Sequence, residues 1–288
     1  MFFINLKAWN MSDKIQTTED LFLGGKLAIC QLKEGYRAGN DPVLLAASLT
    51  LKKYQTLLDL GCGVGTAFLC ALVREKSLEV TGVEIQKTLS DLAKNNCKTN
   101  KLSAEIINSD INKMWKVIGD RAFDHVIFNP PFMDSNKGTV SLSRKKALAN
   151  FSSEEELENW LKIGMKRLKP KGTISLISRA ESLSIVLKTL EEKVGSIKIL
   201  PIASFEGEPC SRIIVSGKLG SKGNISLLSP LIMHLKSLGP GKRSVFTKSV
   251  RDILYEGISI EASLTWYQKI SRNFALNKID NDFNYILW

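Results

Sequence analysis

The hydrophobic pattern changes character at residue 56. From there, short apolar runs of strand length alternate with stretches of helical spacing. TLLDLG (56–61) is an apolar run closed by glycine and predicts a strand. TAFLCALVRE (66–75) has helical spacing, EVTGVEI (79–85) predicts a second strand, and KTLSDLAKNNCKTN (87–100) predicts an amphipathic helix that ends on polar residues. AEIINSD (104–110) and HVIFNPP (125–131) predict the third and fourth strands. SSEEELENWLKIGMKRL (152–168) opens on serines, carries glutamates in its first turn and basic residues in its last, and so predicts a capped helix, closed by Pro170 and Gly172. TISLISR (173–179) is the fifth strand, SLSIVLKTLEEKV (182–194) a helix, and SIKILPIAS (196–204) and RIIVSGKL (212–219) the last two strands. Repetition of strand and helix predicts an α/β fold: a mostly parallel seven-stranded sheet flanked by helices on both faces.

Residues 56–219 therefore form the central domain, between an N-terminal segment (1–55) and a C-terminal one (220–288). SKGNIS and LGPGKRS read as loops, and the tail after Gly257 shows no clear period. The opening MFFINLKAWNMSDK has four apolar residues before Asn5 and no small-residue cleavage site, so it makes a poor signal peptide; Met11 is a second candidate start, since organised sequence begins near Thr17. No apolar run reaches the roughly eighteen residues that a spanning helix needs, so no membrane association is expected.

Five cysteines without a C-x-x-C pair are expected to be reduced thiols of a cytoplasmic protein, not disulfides or zinc ligands. Only two histidines occur, and His125 lies inside a strand, where packing explains it, so no metal site is expected. The net charge of +11 is informative through its location. Residues 56–132 balance nine basic against nine acidic side chains, whereas 133–152 carry an excess of +3 and 220–257 an excess of +4. A basic excess confined to two segments suits a polyanion, with tRNA or rRNA the obvious candidates; a generally basic proteome is the plainer explanation.

The chemistry concentrates at two strand ends. LLDLGCGVGTAF (57–68) joins the first strand to the first helix, and glycines at 61, 63 and 65 allow a tight turn and close approach to a ligand. The nicotinamide fingerprint G-x-G-x-x-G fails here, because its third glycine position is Thr66. G-x-G-x-G preceded by Asp59 resembles motif I of the class I S-adenosylmethionine-dependent methyltransferases, a Rossmann-like family. Glu84 ends the second strand, where a carboxylate can accept both ribose hydroxyls of a nucleoside. The resemblance implies S-adenosylmethionine as cofactor, held by Asp59, Gly61, Cys62, Gly63, Gly65, Glu84, Asn129 and Asp110, the last placed against the adenine amine.

Asn129-Pro130-Pro131-Phe132 closes the fourth strand and resembles the N-P-P-F/Y corner of methyltransferases acting on planar exocyclic amines. Such an amine delocalises its lone pair into the ring. The Asn129 side-chain oxygen and the Pro130 carbonyl can accept its two hydrogens, proline offers no competing N–H, and Phe132 can stack on the flat target. The same corner serves adenine in nucleic acids, guanine N2 in rRNA and glutamine in release factors. GYRAGNDPVLLA (35–46), together with motif I and N-P-P-F, resembles the bacterial tRNA adenine-N6 methyltransferase family that acts 3′ of the anticodon of a valine tRNA. Phe132 departs from the tyrosine more usual in glutamine methyltransferases. Arg37, Asn40 and Asp41 either line the target pocket or form a capped turn leading into a helix. Lys137, Arg144, Lys145 and Lys146 follow the corner and either hold flanking phosphates or form a solvated loop. Three functions follow: tRNA adenine methylation, the same chemistry on rRNA guanine or protein glutamine, and a non-catalytic RNA-binding protein of this fold.

Overall fold

The structure, a computed structural model, describes residues 16–35, 37–130, 154–235 and 244–263. A hairpin comes first, β1 (Thr17–Phe22) and β2 (Leu27–Leu32), followed by helix α1 (Asn40–Ala47). The repeating units are β3 (Thr56–Leu60), α2 (Thr66–Arg74), β4 (Glu79–Glu84), α3 (Lys87–Thr99), β5 (Glu105–Asn108), the single turn α4 (Trp115–Ile118), β6 (Phe123–Phe128), α5 (Glu154–Lys166), β7 (Leu168–Arg179), α6 (Leu183–Leu190), β8 (Val194–Ala203) and β9 (Arg212–Leu219). Two short strands, β10 (Ser226–Leu227) and β11 (Leu231–Ile232), pair in parallel with β8. The expected seven-stranded core is therefore widened to nine by a segment whose first part, SKGNIS, reads as a loop in sequence.

The strand order is β10-β8-β9-β7-β6-β3-β4-β5, and only the pairings of β9 with β7 and β8 are antiparallel. From β3 the chain winds outward through β4 and β5, then returns to the other side of β3 as β6. The boundary between β3 and β6 is the topological switch point, outside whose carboxyl ends ligands bind in such sheets. Leu60 is in register with Phe128, so Gly61 and Asn129 are the next residues of two adjacent strands.

Some boundaries shift. Pro170 and Gly172 do not end a helix; they lie inside β7, which starts at Leu168 opposite Phe123 across an irregularity in the β6–β7 register. Such a bulge tolerates proline within a ladder. Asp110 lies two residues past β5 instead of ending it, and α6 stops at Leu190, because Val194 already pairs with Leu219. Helix α2 is apolar all round because it is covered on all sides: every residue from Thr66 to Leu72 is buried.

The two terminal segments pack on one face of the sheet. Leu23, Leu27 and Ile29 from the hairpin, α1, and Val250, Ile253 and Leu254 share a core with Leu57, Ile127, Ile177 and Ile214. A π-helix, Asp252–Glu256, meets the hairpin turn; the Gly24 backbone lies so close to it that an added Cβ would sit 2.8 Å from the Tyr255 carbonyl oxygen. Lys26 Nζ donates to the Glu256 carbonyl and carboxylate, both at 3.0 Å.

The free edge of β2 is met by side chains rather than by a strand. On α3, Asn96 accepts from Cys30 N–H at 2.8 Å and donates to Cys30 O at 3.1 Å. One turn later Asn100 does the same at Ala28, at 2.9 and 2.7 Å. Asn96 Nδ2 also donates to Val64 O of the glycine loop at 2.9 Å, and its side chain is fully buried. Replacing Asn96 with Ala removes three hydrogen bonds and leaves buried backbone groups unpaired, which should cost about 2–4 kcal/mol. Denaturant titration measures the loss, and amide exchange at Cys30 should quicken more than at Ile127; equal protection of Cys30 in both proteins would refute the bridging role.

Candidate active site at the switch point

The glycine loop leaves β3 with three left-handed residues, Gly61 (φ 64°), Gly63 (φ 56°) and Gly65 (φ 91°). Gly61 is required twice over: beyond its φ, a Cβ there would lie 2.5 Å from the Trp160 ring. Trp160 comes from α5, is buried, and tilts against Phe128 with ring centroids 5.8 Å apart. At Gly63 an added Cβ would meet nothing within 4 Å, so this part of the loop faces open space. Cys62 N–H donates to Val83 O at 3.0 Å, and Gly65 N–H to Cys62 O at 2.9 Å, which fastens the loop to β4.

Glu84 ends β4 and is nearly buried. Its Oε2 accepts from Gly63 N–H at 2.9 Å and its Oε1 from Gln86 N–H at 2.8 Å. Burial raises the Glu84 carboxyl above its ordinary value, and the N–H groups of Gln86, Gly63 and Ile85 pull it back in part. Asp59, within β3, is buried more deeply. Burial pushes its carboxyl well above the carboxylate range, the Phe68 N–H opposes that, and the Glu84 charge adds to it. The Asp59 Oδ2 and the Thr66 Oγ1 are buried with no hydrogen-bond partner. Ile85, just after Glu84, is 62% exposed. Asp110 Oδ1 accepts from the backbone and side chain of Asn112, which in turn accepts from Asn159 of α5.

Asn129 follows β6 directly, with its Oδ1 buried, and Pro130 is buried beside it. Pro131, Phe132, Lys137, Arg144, Lys145 and Lys146 lie outside the described residues. His125 is a packed strand residue, its Nε2 3.0 Å from Gln55 Oε1. Among the described residues, no group of three His, Cys, Asp or Glu side chains is placed to hold a metal ion, and no helix is long and apolar enough to cross a membrane.

The structure separates the three residues of the N-terminal block. Arg37 is engaged by the hairpin: its guanidinium donates to both oxygens of Asp20, at 2.6 and 2.7 Å, and to Thr18 Oγ1. Asn40 is exposed as the first residue of α1. The capped-turn alternative does not hold, since Gly39 occupies the cap position and no side chain caps it. Asp41 reaches across to Arg212, the first residue of β9, with Oδ2 2.9 Å from Nε. Arg212, Trp160 and Asn96 are parts of this region that the sequence reading passed over. A tryptophan on an apolar helix face and a pair of asparagines four apart were the only signals, and Arg212 gave none.

A mostly parallel sheet flanked by helices, with a glycine turn at its switch point, is the fold of the class I methyltransferases. The family model of the methyltransferase small domain matches residues 40–200, and the chain belongs to that family. It is similar to tRNA1(Val) (adenine(37)-N6)-methyltransferases from Shewanella halifaxensis (31% identical over 189 residues, 64% of this chain and 75% of the relative) and Shewanella baltica (27% over 186 residues, 62% and 76%). A solved structure described as a predicted O-methyltransferase from Agrobacterium tumefaciens superposes with a TM-score of 0.59 at 26% identity, covering 74% of this chain and 94% of that one. The methyl donor of the class is S-adenosylmethionine.

Asp59 gives a stability test with a defined sign. Its folded pKa is raised, so it contributes stability that is fully present below the unfolded value near 3.8 and lost as pH rises through the folded value. Asp59→Asn keeps an acceptor for the Phe68 N–H without the buried charge. Its melting temperature should exceed the wild type's by about 2 °C or more at pH 7, a gap that closes towards pH 4. A gap that widened on acidification would contradict the assignment.

Proposed function

We propose that this chain transfers a methyl group from S-adenosylmethionine to the N6 amine of an adenine in tRNA, the reaction for which its Shewanella relatives are named. The observation that carries the reading is the register of β3 against β6, which puts the glycine loop and the Asn129–Pro130 corner side by side at the switch point.

The residues present fit the cofactor. The open side of Gly63 admits a ligand against the backbone, and Glu84, already held by two N–H groups, presents a carboxylate for ribose hydroxyls. The unpartnered Oδ2 of Asp59 is suited to the ammonium of the methionine part, Asp110 to the adenine amine, and the exposed side chain of Ile85 to the flat base. When bound, S-adenosylmethionine supplies an electrophilic methyl group on a sulfonium. The Asn129 Oδ1 and the Pro130 carbonyl accept the two amine hydrogens and favour a lone pair localised on nitrogen. Proline contributes no donor that would compete. Phe132 stacks on the target base and sets its plane. Because the donor is already activated, orientation and placement of acceptors carry the catalysis, and the proton leaves to water after transfer. An adenine in a single-stranded loop reaches the corner without breaking a duplex. The lysines and arginine at 137–146 would meet the flanking phosphates.

Transfer of labelled methyl to three acceptors tests the substrate: unmodified bulk tRNA, rRNA, and a release factor. Label should appear in N6-methyladenosine from tRNA; label in N2-methylguanosine or in protein would replace the substrate and keep the corner chemistry. Asn129→Ala should lower kcat by about 10²–10³-fold, the cost typical of losing a preorganised polar contact to the reacting group. Its affinity for S-adenosylmethionine, measured calorimetrically, should stay within a few-fold. Retention of near-wild-type transfer would remove Asn129 from the mechanism.

A further inference from the structure

We propose that Arg212, held by Asp41, is a substrate-binding residue that contacts the sugar-phosphate of the target nucleotide; this rests on the tRNA reading above. Phe128 of β6 is opposite Leu176 of β7, so Asn129 falls beside Ile177, and Arg179 lies two residues further towards the open end. Arg179 is opposite Arg212 across the antiparallel β7–β9 pair. Side chains alternate faces along a strand, and directly opposite residues share one. Ile127 of β6, Ile177 of β7 and Ile214 of β9 all belong to the core under α1 and the hairpin. Asn129, Arg179 and Arg212, each two residues from one of these, therefore project from that same face. Two arginines thus flank the catalytic corner on its outer side, on the sheet face that Asp59 shares deeper in β3.

The distances suit a nucleotide. With strands about 4.8 Å apart and about 3.3 Å of rise per residue, Arg212 lies roughly 10 Å sideways and 7 Å along the strand from Asn129. An adenine whose amine sits at Asn129 holds its ribose and phosphates away from the corner, at a separation that an arginine on this rim can span. The side chain of Arg212 is 47% exposed, while that of Asp41, at the start of α1, is only 17% exposed. The ion pair thus has its acid embedded and its cation facing outward. Asp41 engages Nε; the remaining guanidinium N–H groups form the planar fork that matches phosphate oxygens. Asp41 therefore acts as a positioning residue that aims the fork. Burial raises its carboxyl above the ordinary value, and the Arg212 guanidinium opposes that rise. Arg179 is paired with Glu181, whose side chain is 75% exposed.

The test separates a phosphate contact from a brace for α1. Methyl transfer to unmodified tRNA and filter binding of that tRNA are measured from low to high potassium chloride, for the wild type, Arg212→Gln, Arg212→Lys and Lys188→Gln. Lys188 lies on α6, an exposed charge on a helix packed against the opposite face of the sheet. Loss of one phosphate contact lowers the slope of log affinity against log salt by about 0.7 for single-stranded RNA. Arg212→Gln should show that drop together with a KM for tRNA raised about tenfold or more. Its affinity for S-adenosylmethionine should be unchanged, Arg212→Lys should recover most of the slope, and Lys188→Gln should keep the whole of it. A slope unchanged in Arg212→Gln, or reduced equally in Lys188→Gln, overturns the proposal, even if KM or melting temperature moves. Failure of the wild type to label tRNA adenine overturns the function reading and this proposal with it, whereas wild-type labelling with an unchanged slope overturns this proposal alone.

Discussion

One buried amide joins the parts of this protein that must stay together. Asn96 has no solvent exposure, and its hydrogen bonds run to the hairpin at Cys30 and to the glycine loop at Val64. The hairpin strand β2 has a free edge, and a buried edge with unpaired N–H and C=O groups would be costly. Asn96 and Asn100, four residues apart on one helix face, repeat the donor–acceptor pattern of a neighbouring strand at alternate residues of β2. The same side chain that satisfies this edge also fixes the backbone beside Gly63 and Gly65. The hairpin and the glycine loop are consequently ordered by the same contact, and the α1 block that follows the hairpin is held at the rim where Asp41 meets Arg212.

The site draws on stability that this scaffold supplies. Asp59 and Glu84 are both carboxyls whose folded pKa is raised, so near neutral pH each makes the ligand-free protein less stable than a neutral residue would. Their partners explain why they are tolerated: Phe68 N–H for Asp59, and Gly63 and Gln86 N–H for Glu84. Acceptors held in this way need no reorganisation when a ligand arrives, which is the property that electrostatic preorganisation requires.

What could be read from sequence followed the local period. Strand–helix alternation from residue 56 gave the sheet, and glycine spacing followed by Glu84 gave the turn and the carboxylate beyond it. The hairpin went unread because Thr17–Phe22 alternates between exposed and half-buried positions and has no apolar face of its own. β10 and β11 are two residues each, too short for any period. Pro170 reads locally as a helix stop, and only the bulged pairing of Leu168 with Phe123 places it in a strand. The Asp41–Arg212 pair joins residues far apart in the chain, through the insertion of β9 between β7 and β8, and no local pattern announces such a crossing.

The register of β6 is then the constraint from which the chemistry follows. Side chains alternate with a period of two, so a slip of one residue would turn Asn129 to the opposite face from Asp59 and Arg212. The lock on that register sits at the other end of the strands. Asp124 Oδ2 accepts from Thr56 N–H, Thr56 Oγ1 and Lys169 Nζ, each at 2.8 Å, and Asp124 N–H donates back to Thr56 Oγ1 at 3.0 Å. Burial works to raise the Asp124 carboxyl, but Lys169 and Thr56 prevail and hold it at about 2, so the clamp stays ionised through the neutral range. One carboxylate thus ties the amino ends of β3, β6 and β7. The in-register pairs that follow, from Leu57–His125 to Leu60–Phe128, carry that alignment to the Asn129–Pro130 corner. The Asn129–Pro130 corner owes its position to a residue at the far end of the same strand.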